Sequence, residues 1–329
     1  MREMFHGAGI QANAEQPKQK IRVALQGGGT LGAYAAGVLD ILDQQDDIEI
    51  DQMGGPSAAA VNTGVYAVAG REGLDTFWNR IGRAGSAAHV INLFDPLQIT
   101  KMVNESYLMN GWRASGALED VGPQGFLAQA LTEVIGSHHN LRKSPIDMRI
   151  TTVSKINPRG DLSPDNLQEH VHTNEDLTIK KIVASGALQE LGPVRIDGRL
   201  HWDGAYSGGN PSFDTFDHHP EIPLVVVTVD RPEVMRSTRD PALVYGRVHG
   251  EIHDLRKQGR SPIYQIALEQ PETWDESVRT NPLPSIINEL REQGQQDALA
   301  FLQQLRHDMN PQRRLQAAVG ADYTDHGHN

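Results

Sequence analysis

The chain has 329 residues, of which 38% are hydrophobic, with 32 glycines and 18 prolines; this describes a globular protein with a sizeable core and many turns. A net charge of −12 argues against nucleic acid as a partner, because binding there needs a basic stripe that displaces counterions, and it disfavours permanent adsorption to an anionic membrane. The absence of cysteine excludes disulfides, thiolate catalysis and cysteine zinc sites.

Residues 1–20 are polar and rich in Gln and Ala, lack the apolar segment of a signal peptide, and read as a flexible tail. No apolar run reaches the ~18 residues of a membrane span. The expected location is therefore cytoplasmic, with export by a route that cleaves no signal still compatible. Residues 21–26 (Ile-Arg-Val-Ala-Leu-Gln) predict a short buried strand, followed by Gly27-Gly28-Gly29-Thr30-Leu31-Gly32 and a helix with Ala33, Ala36, Gly37 and Val38 on a small-residue face. Residues 48–53 predict a second strand, and residues 58–69 an alanine-rich second helix. This β-α-β-α opening favours a parallel sheet with right-handed crossovers.

Further along, a helical piece surrounds Phe77-Trp78, and a loop holds Asp95-Pro96. Residues 126–135 predict an amphipathic helix, 148–153 a strand, 161–168 a loop, and 177–184 a helix. Asp197-Gly198 between 194–196 and 200–202 is a hairpin signal. Leu-Val-Val-Val-Thr-Val at 224–229 is the clearest core strand, and 285–307 reads as an amphipathic helix. Phe94, Leu97, Met102, Tyr107, Leu108, Met109 and Trp112 form an apolar stripe that suits either ordinary core or a lid and acyl-chain wall. No internal repeat or linker appears. One domain over residues 21–310 is expected, with a loose tail at 311–329.

The glycine loop has three readings. Gly27-x-Gly29-x-x-Gly32 fits the dinucleotide fingerprint, and Asp51 falls near the place of a ribose-binding carboxylate. The same glycines also suit a plain tight turn with close helix packing. In the third reading their N–H groups stabilise an oxyanion, since a residue without Cβ lets substrate approach the backbone.

The next motif bears on the choice. Gly55-Pro56-Ser57-Ala58-Ala59 approximates the G-x-S-x-G nucleophile elbow, with Ala59 in place of the last glycine. Pro56 biases Gly55 towards an extended conformation. A helix starting at Ala58 would favour negative charge at Ser57. Ser57 also reads as a simple helix cap. A serine needs a base, and none of the 14 histidines sits in a recognisable context for one. Asp203-Gly204-Ala205, directly after a predicted strand, is the best alternative, set against an ordinary Asp-Gly turn.

Taken together and in this order, these segments resemble the patatin-like phospholipases. Residues 27–34 resemble that family's oxyanion loop, residues 55–59 its serine elbow, and Asp203-Gly204-Ala205 its Asp-Gly-Gly/Ala motif. Ala184-Ser185-Gly186-Ala187 and the run from Trp202 to Pro211 add to the likeness, which spans about residues 21–231. The chain departs from the family at Leu31, where Arg or Lys is common, and at Ala59. The resemblance implies a single three-layer α/β/α domain with a mainly parallel central sheet. It also implies a Ser57–Asp203 dyad that cleaves acyl esters of lipids through an acyl-enzyme. The oxyanion hole would be drawn from Gly27, Gly28, Gly29, Thr30 and Ala58, with Gly32, Gly55 and Gly204 supporting the motifs. No cofactor or metal is implied. The implied partners are a lipid or ester substrate and a transient membrane surface. Two other readings stay open: a catalytically weakened lipid- or protein-binding relative, and a nucleotide binder.

Overall fold

The computed structural model describes residues 18–94, 122–189, 191–207, 210–211, 213–216, 221–229, 262–270, 274, 278–279 and 281–308. β1 (Gln19–Leu25) starts two residues ahead of its expected position and runs through a 3-10 turn at Gly29–Leu31 into α1 (Gly32–Asp43). β2 (Ile48–Gly54) leads to α2 (Ala58–Phe94), which breaks at Gly70, where φ is 57° and ψ −152°. The predicted helix at 58–69 is thus the first arm of α2, and Phe77-Trp78 lies in the second. Next come α3 (Gly122–Ile135), α4 (His138–Lys143), β3 (Asp147–Lys155), β4 (Leu167–His172) and α5 (Ile179–Ser185). The hairpin β5 (Val194–Ile196) and β6 (Arg199–Asp203) turns at Asp197 and Gly198, both at positive φ (47° and 82°), as such two-residue turns require. β7 (Leu224–Thr228), β8 (Ile263–Ala267) and α6 (Pro284–Asp308) complete the described order.

One local expectation changes: the loop expected over 161–168 gives way to β4 at Leu167. β4 carries Gln, Glu and His at its centre and is only partly buried, so it lacks the apolar alternation that marks a strand. The apolar stripe beyond Phe94, the Asp95-Pro96 loop, residues 1–17 of the first predicted tail and the tail at 311–329 lie outside the described residues.

The sheet order is β5-β6-β3-β2-β1-β7-β8, with β4 paired to β3. β3, β2, β1, β7 and β8 run parallel to one another, whereas β4, β6 and β5 add an antiparallel extension at β3. This is a mixed, mostly parallel sheet flanked by helices, the α/β class expected. The period of two in the strands divides the core. Ile21, Val23 and Leu25 of β1, with Val225 and Val227 of β7, face the main core built with α1, α2, α3, α5 and α6. Ala24, Leu224 and Val226 point to the other face, where Phe213 and Phe216 cover them. Among the described residues no helix is long and apolar enough to cross a membrane.

The last helix among the described residues, α6, is built into this core. A Cβ placed on Gly37 of α1 would fall 2.1 Å from the Arg291 carbonyl oxygen of α6, and one on Gly294 would fall 2.2 Å from the Tyr34 carbonyl oxygen. The two glycines let the backbones of α1 and α6 touch, and Arg291 then reaches Asp40 of α1 and Asp75 of α2. Gly37→Ala gains helix propensity but forces these backbones apart, and overpacking of this kind costs about 1–3 kcal/mol. The variant is expected to unfold at a clearly lower urea concentration than the wild type.

Candidate active site

Ser57 sits between the end of β2 and the first turn of α2, at φ 59°, a left-handed conformation that non-glycine residues rarely adopt. Such a conformation costs on the order of 1–3 kcal/mol and persists only where the surroundings hold it. Here they do. Ser57 N–H donates to both the carbonyl oxygen (2.9 Å) and Oγ (3.0 Å) of Ser185, and Gly55 N–H donates to Arg149 O at 3.0 Å. Gly55 itself has φ +151°, and a Cβ there would fall 2.1 Å from Leu25 O and 2.7 Å from Ala59 Cβ. Gly55 thus adopts an extended conformation open only to glycine. Ala59 fits beside the serine because its methyl group packs over this glycine. The missing side chain of Gly55 leaves the room that the Ala59 methyl group occupies.

The glycine loop lies against this elbow. A Cβ on Gly27 would fall 2.6 Å from Pro56 O and 2.8 Å from Ser57 Cβ, so only glycine allows the approach. The first bond of the 3-10 turn runs from Leu31 N–H to Gly28 O at 3.2 Å. The N–H groups of Gly28, Gly29 and Thr30 precede it. Ala58 heads α2, and the N–H groups after it are taken, Ala59 by Pro56 O at 3.0 Å and Ala60 by Ser57 O at 3.0 Å. Gly27 departs from the predicted set: its N–H donates to Asn210 Oδ1 at 2.7 Å, and its carbonyl accepts from Asn210 Nδ2 at 3.2 Å. That N–H is therefore committed within the protein, and Gly27 packs closely against Pro56 and Ser57. Gly32 is fixed from the other side, where Asn62 Nδ2 donates to its carbonyl at 2.8 Å and Trp78 Nε1 donates to Asn62 Oδ1 at 2.9 Å.

Asp203 ends β6 and is 1% exposed. Its N–H donates to Ala187 O at 3.0 Å, and its Oδ1 accepts from Ala205 N–H at 2.9 Å. A Cβ on Gly204 would fall 2.4 Å from Thr151 O, so the glycine lets the chain turn tightly over β3. Burial pushes the Asp203 carboxyl up to about 7, against the opposing pull of the Ala205 N–H and the nearby Ser57 side chain. The Ser57 side chain thus lies close enough to the carboxyl to oppose its rise, while Asp203 Oδ2 meets hydrogen-bond geometry with none of the described residues.

Among the described residues, His170, His172 and His201 are engaged elsewhere, with Ser154 and Thr152. His201 is buried, donates to or accepts from Thr152 Oγ1 at 2.9 Å, and stacks near His170 with ring centroids 4.8 Å apart. His172 meets the same hydroxyl at 2.9 Å. Burial and the neighbouring cationic groups hold His201 down at about 4, so it is neutral at physiological pH. Asp51, the carboxylate of the dinucleotide reading, is paired with Lys20 Nζ at 2.5 Å. Among the described residues no group of three or more His, Asp or Glu side chains is arranged to hold a metal ion.

Three residues of the site carry no local signal that motif reasoning could use. Ser185 and Asn210 lie in segments that carry the resemblance, but their roles emerge only where the chain folds back on the elbow and the loop. Arg279 joins them: a Cβ on Gly28 would fall 3.4 Å from its Nη1, and one on Gly29 would fall 2.4 Å from its carbonyl oxygen. Burial lowers the Arg279 guanidinium to about 10, which leaves it charged at neutral pH.

Among solved structures, the chain is similar to VipD from Legionella pneumophila, with 13% identity, 85% of this chain and 67% of that one covered, and a TM-score of 0.38. It is also similar to the type III effector protein ExoU (15% identity, 88% and 54% covered, TM-score 0.37). A third similarity is to the heterodimeric ExoU–SpcU complex of the Pseudomonas aeruginosa type III secretion system (13%, 88% and 52%, 0.39). The chain spans about half the length of the ExoU chains it matches. No curated protein sequence matches it. The sequence model of one family, patatin-like phospholipase, matches residues 23–214, more than half of the chain and the whole stretch from the glycine loop through Ser57 to Asp203. The chain belongs to the patatin-like phospholipase family.

Proposed function

We infer that the chain is a serine-dependent lipid acyl hydrolase, of the phospholipase, lysophospholipase or carboxylesterase type. The observation that carries this reading is the strained Ser57 elbow, set against the glycine loop and beside a buried carboxyl with an unpartnered oxygen. Ser57 Oγ attacks the acyl carbonyl while Asp203 takes its proton. The tetrahedral oxyanion is held by the N–H groups of Gly28, Gly29, Thr30 and Ala58. Collapse expels the alcohol, which recovers the proton from Asp203 and leaves an acyl-serine. Asp203 then deprotonates water, which attacks the acyl group and frees the carboxylic acid and Ser57. With its pKa near 7 and its surroundings dry, Asp203 has the basicity that a general base working at neutral pH requires. The substrate side of the reading is an ester presented by a lipid, met by transient contact with a membrane surface.

The purified protein is expected to hydrolyse a short p-nitrophenyl ester and to be labelled by a fluorophosphonate on Ser57 alone, as read by peptide mass spectrometry. Hydrolysis without labelling at Ser57 would remove the dyad. Neither hydrolysis nor labelling, with the fold intact, would favour a binding protein that has lost the reaction.

A further inference from the structure

Ser185 ends α5 and is wholly buried, in a chain segment far from both Ser57 and Asp203 in sequence. Its side chain makes two bonds. Oγ–H donates to Thr151 O of β3 at 2.7 Å, which fixes the orientation of the hydroxyl, and the same oxygen accepts from Ser57 N–H at 3.0 Å. Two residues on, Ala187 O accepts from Asp203 N–H at 3.0 Å. One short turn therefore holds the backbone of the candidate nucleophile with its first residue and the backbone of the candidate base with its third. Gly204, next to Asp203, packs on the same Thr151 carbonyl that takes the Ser185 proton.

We propose that Ser185 is a positioning residue of the acyl-transfer reaction, its hydroxyl locking the left-handed Ser57 backbone while the turn through Ala187 sets the distance from Ser57 to Asp203. The proposal rests on the hydrolase reading of the site. Ser57 at φ 59° would relax if its N–H lost an acceptor, and the serine Oγ would swing with it. The Ser185 carbonyl keeps half of the bifurcated bond, so removal of the hydroxyl alone loosens the elbow without abolishing it.

The test compares wild type, Ser185→Ala and Ser185→Cys, with Tyr66→Phe as a control that removes one hydrogen bond (Tyr66 Oη to Asp43 Oδ1, 2.9 Å) far from the site. Four quantities are read: the fluorophosphonate labelling rate at Ser57, kcat and KM for a p-nitrophenyl ester, the urea midpoint, and hydrogen exchange of the Ser57 amide. Ser185→Ala is expected to label and turn over roughly tenfold more slowly, the scale of one lost hydrogen bond. Its KM stays close to wild type and its Ser57 amide exchanges faster. Ser185→Cys, which keeps a weak donor and acceptor in a similar volume, falls between the two and carries the test if the alanine variant does not fold. Tyr66→Phe keeps wild-type labelling and turnover whatever stability it loses. Wild-type labelling and wild-type amide exchange in the Ser185 variants would overturn the positioning role and leave the hydrolase reading intact. The same holds for a loss in Tyr66→Phe as large as in Ser185→Ala. A wild-type chain inert to both ester and fluorophosphonate would overturn the hydrolase reading itself, while the Ser57 amide exchange would still decide whether Ser185 holds the elbow.

Discussion

Asp203→Asn is expected to lower ester hydrolysis by roughly 10⁴-fold, the scale reached when the buried acid of a serine hydrolase is neutralised, and at the same time to make the protein relatively more stable as pH rises. Both effects have one cause. The carboxyl lies in a site so dry that its pKa climbs from its ordinary value of 3.8 to about 7. In the unfolded chain the group ionises near its ordinary value. Below pH 4 it is protonated in both states and stability is unaffected. Between pH 4 and 7 the unfolded chain has released the proton and the folded one still holds it, so stability falls as pH rises. Above 7 both are ionised and the whole penalty is present, on the order of 4 kcal/mol at about 1.4 kcal/mol per pH unit. The asparagine variant never ionises. Its buried amide adds a constant cost, so the readout is the change with pH: the urea-derived stability difference, variant minus wild type, should climb from pH 4 to pH 8 and then level off. A difference that stays flat across that range would mean that Asp203 is not a dry, proton-retaining carboxyl, and its role as base would go with it. The same ionisation sets the rate. A base must be deprotonated to act, so wild-type kcat/KM should rise with pH through an apparent pKa near 7.

Strand, turn and helix order at the N-terminus were legible because each carries its own local physics. Ile21 to Leu25 is apolar enough to be buried on both faces, Asp197-Gly198 has the residues that a positive-φ hairpin demands, and the residues around Ser57 match a turn whose sterics admit few alternatives. β4 was not legible, since it forms by pairing with β3 and not by any pattern of its own. The role of Asn210 is of the same kind. Its amide is the right shape to satisfy both backbone groups of Gly27, but that use depends on the chain returning to β1 after β6. The Gly27 N–H, counted among the expected oxyanion donors, is committed to Asn210 in this structure, and a glycine's availability cannot be read from its identity. Ala59 ran the other way. One methyl group beside the serine was a departure from the motif, and the fold absorbs it at Gly55. What sequence patterns report well is which residue types a site needs. Which of their polar groups are already occupied is decided by packing between distant segments.

Ser57→Ala should have the largest effect of any single change, roughly a 10⁶-fold loss in kcat, because in the proposed reaction Ser57 forms the acyl bond. It tests more than the nucleophile. If Ser57 and Asp203 act as one unit, the double variant Ser57→Ala/Asp203→Asn should be no slower than Ser57→Ala alone, since a base without its nucleophile has nothing to deprotonate. A further large drop in the double variant would show that Asp203 drives a second, serine-independent route. Stability separates chemistry from folding. Ser57→Ala keeps the strained φ of 59° and should leave the urea midpoint nearly unchanged. Ser57→Gly should be equally inactive, but it removes a left-handed strain on the order of 1–3 kcal/mol and should raise the midpoint after the entropic cost of glycine, about 1 kcal/mol, is deducted. A glycine variant less stable than the alanine variant would mean that the elbow is not held under strain. The backbone would then be relaxed at φ 59°, and the reason for placing a serine there would have to be sought in capping the helix instead of in catalysis.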